Sequence, residues 1–193
     1  MSTSVTTKSS AVKANYERFR SVVEAAIEQM SAQSAAPLKL YDLEYQTGTS
    51  LLRVYIINPV TLTAEITDCV KVDDALTLPL QESWVPDGLT LEVSSPGIYR
   101  SIKNEWHYQM SLNHRVKMRL TKPLIGKRGK KEGKFFELLG KVKEVRASSM
   151  ILELEDPILE ELKDLPGVEI NFSDIQVANW EPNLDLQESG ILK

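Results

Sequence analysis

From Val12 to Met30 the apolar residues Tyr16, Phe19, Val23, Ile27 and Met30 return every three or four positions, which predicts one face of a long amphipathic helix. "SAQSAAP" ends it, and Pro37 opens an extended run. "LKLYDLEYQ" alternates, and "LLRVYIIN" is rich in β-branched and aromatic side chains. Joined by "TGTS", with Gly48 free to take a positive φ, they predict a hairpin that Pro59 closes. A second helix is predicted from about Ala64 to Leu78, with Cys69, Val72 and Leu76 on one face and Pro79 as its limit. "LTLEVSS" then reads as a strand that stops at the turn pair Pro96-Gly97.

Beyond a short helical connector at Asn104 to Leu112, the period changes to two. "RVKMRLT", "FFELLGKVKEV", "SMILELE", "VEINF" and "IQVANW" are five short strands separated by polar turns, and a loop around Gly126 to Gly133 joins the first pair. Five strands in so short a stretch suggest a small closed barrel, because closure removes exposed edges. The expected class is therefore α+β. An αββαβ domain over 12–97, a connector over 98–112 and an all-β barrel over 113–182 lie between a flexible Ser/Thr-rich arm (1–11) and a mobile tail (183–193).

Composition adds little until charge is mapped along the chain. The 193 residues suffice for one large or two small domains, and no apolar run reaches the roughly 20 residues needed to cross a bilayer. The N-terminus lacks the apolar core of a secretory signal, which makes the cytoplasm the expected location. Cys69 alone fits a reducing compartment and reads as a small buried apolar residue.

The net charge of −4 hides a segregation. Residues 1–97 carry net −5, residues 113–146 net +9 and residues 147–193 net −9. "RVKMRLTKPLIGKRGKKEGKFF", residues 115–136, holds nine Lys or Arg and one acid, Glu132. Cations this dense repel one another unless an anionic partner relieves them, and the obvious partner is a phosphate backbone. The plain alternative is a solvated loop balanced by the acidic C-terminal part of the same domain.

Catalytic chemistry is not indicated, and neither a metal nor a cofactor is expected. His107 and His114, the only histidines, have no Cys or paired carboxylate at ligand spacing and read as partly exposed polar residues. "VSSPG" lacks the Gly two residues before a nucleophile-elbow Ser, so Ser94 and Ser95 read as backbone-bonding residues at a strand-to-turn corner. Asp73 and Asp74 point about 100° apart on a helix. "GKRG" has the spacing of a backbone-clamping KH loop, but strand patterns rather than helices flank it. No Walker pattern occurs. Phe135 and Phe136 beside the basic loop read mainly as core, with base stacking as the other use.

Three stretches resemble the ribosome maturation factor RimP family: "LKLYDLEYQTGTSLLRVYI", "LTLEVSSPGIYRSI" and "FSDIQVANWEP". With "EITDCVKVDDAL" between, the resemblance covers roughly residues 12 to 182 in order. It implies a KH-like N-terminal domain, an SH3/Sm-like barrel and a non-enzymatic factor that binds the free small ribosomal subunit and assists its maturation. The implied partners are small-subunit rRNA and a basic ribosomal protein near the decoding region, with no membrane and a monomeric state. Tyr99 stands where the family usually has an acid before the signature Arg100, so a pairing that used that acid would be missing. The corner Ser94, Ser95, Pro96 and Gly97, with Arg100, would set the relation between domains and present Arg100 to a carboxylate or phosphate. Arg115, Lys117, Lys127, Arg128, Lys130, Lys131 and Lys134 are the expected rRNA contacts. The alternative is a regulator whose barrel docks a partner peptide without RNA.

Overall fold

The computed structural model describes residues 4–32, 37–82, 84–128, 131–155 and 167–182. The expected tail, 183–193, lies outside the described residues. The chain divides into two compact units, Met1–Gly97 and Ile98–Lys193.

The first unit runs α1 (Ser4–Ala32), β1 (Lys39–Gln46), β2 (Leu51–Ile57), α2 (Ile66–Thr77), a 3-10 turn (Pro79–Gln81) and β3 (Thr90–Ser94). α1 starts eight residues before Val12 and takes in most of the expected arm. Nothing from Ser4 to Ala32 is Gly or Pro, so no residue interrupts the helix. β1 pairs antiparallel with β2, and β2 pairs parallel with β3. A parallel neighbour needs a crossover, which α2 provides. Asp68 begins that helix by accepting the Glu65 backbone N–H at 3.1 Å.

Phe19, Val23 and Ile27 of α1 meet Leu43 of β1, Leu52, Val54 and Ile56 of β2, and Val72 and Leu76 of α2 in one buried cluster. Full burial of each such side chain contributes on the order of 1.5–3 kcal/mol. Tyr16, Met30 and Cys69 pack at its edge, partly buried, and burial pushes the Cys69 thiol pKa up. In the β1–β2 turn it is Ser50, not Gly48, that takes the left-handed conformation, with φ 49°. The four-residue connection re-enters β2 through Ser50, so the strain falls there.

The second unit holds α3 (Glu105–Met110), β4 (Arg115–Arg128), β5 (Lys131–Val145), β6 (Ser149–Leu154), β7 (Val168–Asn171), a 3-10 turn (Phe172–Asp174) and β8 (Ile175–Trp180). The sheet order is β7-β6-β5-β4-β8, antiparallel throughout. No ladder joins β7 to β8 among the described residues. Alternate residues face the core: Val116, Met118 and Leu120 of β4, Leu138 and Val142 of β5, Met150 and Leu152 of β6, Ala178 and Trp180 of β8. Gly140 lets β5 approach β6 closely, since a Cβ there would lie 2.3 Å from the Glu153 carbonyl oxygen.

His107 corrects an expectation. It is 1% exposed, and its Nδ1 accepts the Lys103 backbone N–H at 3.1 Å. Asn104 caps α3 by accepting the His107 backbone N–H, and Ser111 Oγ donates to the His107 carbonyl at 2.7 Å. Trp180 Nε1 donates to that same Ser111 hydroxyl at 2.9 Å, which ties α3 to β8.

Candidate nucleic-acid interface

The basic segment is not a loop. β4 and β5 keep pairing past the sheet as a two-stranded ribbon, with Leu124 opposite Phe135, Ile125 opposite Lys134, Gly126 opposite Gly133, Lys127 opposite Glu132 and Arg128 opposite Lys131. A register shift between Arg119 and Leu124 separates this ribbon from the part of β4 that packs in the core. Such a bulge bends and twists a strand, which turns the residues beyond it in a new direction. Five paired positions at about 3.4 Å each make the ribbon about 17 Å long.

Of the expected contacts, Lys127 and Arg128 end β4 and Lys131 begins β5, so the register brings them together at the ribbon's end. Lys130 lies outside the described residues. Lys134 is exposed and has no ion pair among the described residues, and the same holds for Lys117 and for Lys122, which is not among the expected contacts. Ile125 is 76% exposed and Phe136 42%, so Phe136 is not core, while Phe135 is half-buried. Phe136 has the inward parity of Leu138 and Val142 but sits at the register shift, opposite the irregular stretch between Arg119 and Leu124.

Two expected contacts are differently employed. Arg115 grips Glu155 bidentately, at 2.5 Å from Nε and 2.6 Å from Nη2, and donates from Nη1 to the Pro182 carbonyl at 3.1 Å. That bond holds the Glu155 carboxyl below the usual range. Arg100 is only 8% exposed, and its guanidinium lies 4.5 Å from the centre of the Trp180 ring. Residues 100–102 run beside β8: Trp180 N–H donates to Arg100 O at 2.9 Å and Ile102 N–H to Ala178 O at 2.8 Å. Little of Arg100 is left for a polymer's phosphate.

Elsewhere on the sheet, several charges are paired locally. Arg146 bridges Glu144 and Glu169, Lys143 meets Glu153 at 2.8 Å, and Arg119 lies 3.9 Å from Glu137. These exposed pairs each contribute little stability. Among the described residues Lys117, Lys122, Lys134 and Lys141 have no such pair.

At the corner, Ser94 Oγ donates to the Ser95 carbonyl at 3.1 Å, and Gly97 takes φ +73°, a conformation that favours glycine. Pro96 lies between them, and Tyr99 beyond is 52% exposed. Among the described residues no group of three or more His, Cys, Asp or Glu is placed to hold a metal, and no helix is long and apolar enough to cross a membrane. Residues 27–99, which end just past this corner, match the family model of the RimP N-terminal domain.

Proposed function

We propose that the chain, whose residues 27–99 match the RimP N-terminal domain, is a ribosome maturation factor of the RimP family and a non-enzymatic assembly factor for the small ribosomal subunit. The observation that carries the RNA part is the ribbon: a β-hairpin arm with exposed Lys134 and Ile125, further cations placed at its end by the register, and exposed Lys122 and Phe136 at its base. Phosphate contacts position a protein without reading sequence. Specificity therefore falls to subunit shape and to a protein neighbour. The N-terminal unit, net −5 by sequence, suits a basic ribosomal protein near the decoding region, because opposite fields steer encounter.

The reading of the N-terminal unit as KH-like rests on its αββαβ order and the family match. The reading of the second unit as an SH3/Sm-like barrel is supported by a distance argument. In a flat sheet β7 and β8 would lie about 19 Å apart, four steps of about 4.8 Å. The three-residue turn Phe172–Asp174 gives at most about 14 Å between the strand ends. The sheet must therefore curl. The factor acts as a cytoplasmic monomer in this reading.

A pull-down from lysate with and without ribonuclease tests it. Small-subunit components should be captured, and ribonuclease should release them. Ribosomal partners retained after ribonuclease would favour a peptide-docking regulator and overturn the RNA role.

A further inference from the structure

Apart from the ribbon, the second unit has a cavity of about 300 Å³ lined by Asn113, His114, Arg115, Lys141, Trp180 and Glu181. Its walls are built by backbone pairing: Asn113 N–H donates to Val142 O, Val142 N–H to His114 O, and Glu181 N–H to Arg115 O. Arg115 and Lys141 stand directly opposite each other in the β4–β5 ladder. Like charges so placed destabilise a sheet. Arg115 is turned to Glu155, whereas Lys141 has no ion pair among the described residues. The His114 ring stacks on Trp180 at 4.1 Å and 18°, and the Arg100 guanidinium lies over the same indole.

We propose that this cavity binds a phosphate ester, with Lys141 as the principal cation, Asn113 as a further donor, and the His114–Trp180 stack as its aromatic wall. A bare phosphate would leave much of the volume empty, so the space suits the attached sugar as well. With Arg115 already bound to Glu155, the oxyanion would supply the counter-charge to Lys141. Burial, and then Arg100 and Lys141, push the His114 pKa down, so the imidazole is neutral near pH 7 and reports on its surroundings. The charged groups around it are Arg100 from the segment beside β8, Arg115 from β4, Lys141 from β5, and Glu181 and Glu155 beyond β8 and β6. An anion beside Lys141 offsets that cation and moves His114 titration to higher pH. The cavity binds its ester whether or not the ribbon contacts RNA.

The test is histidine-resolved NMR of the whole protein, in which buried His107 serves as the internal reference for His114. AMP, inorganic phosphate and a short 5′-hydroxyl oligoribonucleotide are titrated against sodium chloride at matched ionic strength. AMP should give a saturable shift of His114 but not His107, with His114 titrating at higher pH. Lys141→Gln should weaken AMP binding about 10-fold or more, and Lys141→Arg should weaken it less. Lys71→Glu, exposed on α2 of the first unit, should leave the shift unchanged. Saturation by AMP alone assigns a free nucleotide, and saturation by the oligonucleotide assigns an internal phosphodiester of RNA. No saturable His114 shift with either ester, or equal affinity in Lys141→Gln, overturns the proposal.

Discussion

The ribbon makes a quantitative prediction about salt. Its length of about 17 Å spans about five phosphates at 3.4 Å each along one duplex strand. Lys127, Arg128, Lys130, Lys131 and Lys134 supply a matching number of cations. With about 0.7 counterion released per contact on a single strand and 0.9 on a duplex, log affinity should fall with log salt at a slope of about −3.5 to −4.5. The perturbation is Lys131→Glu with Lys134→Glu, which removes two contacts and should make the slope shallower by about 1.4 to 1.8. Folding should survive, because the ribbon lies beyond the core layer and its ladder is made by backbone groups. Filter binding of purified free small subunits across a salt series measures the slope, and circular dichroism checks the fold. A folded variant with an unchanged slope would refute the reasoning, as would a wild-type slope near zero.

Two further outcomes test the frame that holds the ribbon. Gly140→Ala forces a Cβ to within 2.3 Å of the Glu153 carbonyl oxygen, so the second unit should lose about 1–3 kcal/mol and melt at least ~4 °C lower; an unchanged melting temperature contradicts the close approach of β5 and β6. His114 is held below its ordinary 6.5 by burial, then by Arg100 and Lys141. As pH falls below 6.5 the unfolded chain takes up its proton first, and stability present above 6.5 is lost as pH drops through the lowered folded value. Glu155, lowered from 4.5 by the Arg115 bond, adds a second loss at more acid pH. Melting followed against pH should show the first loss in the wild type and not in His114→Phe, and identical profiles between pH 5 and 7 would rule it out.

What the sequence revealed and what it concealed have physical causes. Phe19, Val23 and Ile27 were legible because they share one helix face, and local spacing suffices to see that. Met118, Leu138, Leu152 and Ala178 were legible for the same reason at period two. The ribbon was not. Lys and Gly have low strand propensity, so "GKRGKKEGK" reads as a loop, while its pairing comes from extending a ladder already set by β4 and β5. Burial of His107 was hidden because a six-residue helix is too short to display a period. Arg115 with Glu155, and His114 with Trp180, are pairs forty or more positions apart that only the sheet register brings together. Lys141 went unremarked for that reason, since nothing near it in the chain shows that Arg115 stands opposite.

Sedimentation of a lysate on a sucrose gradient, with the chain followed by immunoblot, tests the central claim most directly. The chain should travel with free and immature small subunits, be missing from translating ribosomes, and move to the top of the gradient when Lys131 and Lys134 are both Glu. Finding it on polysomes, or at the top of the gradient in wild-type form, would contradict the account.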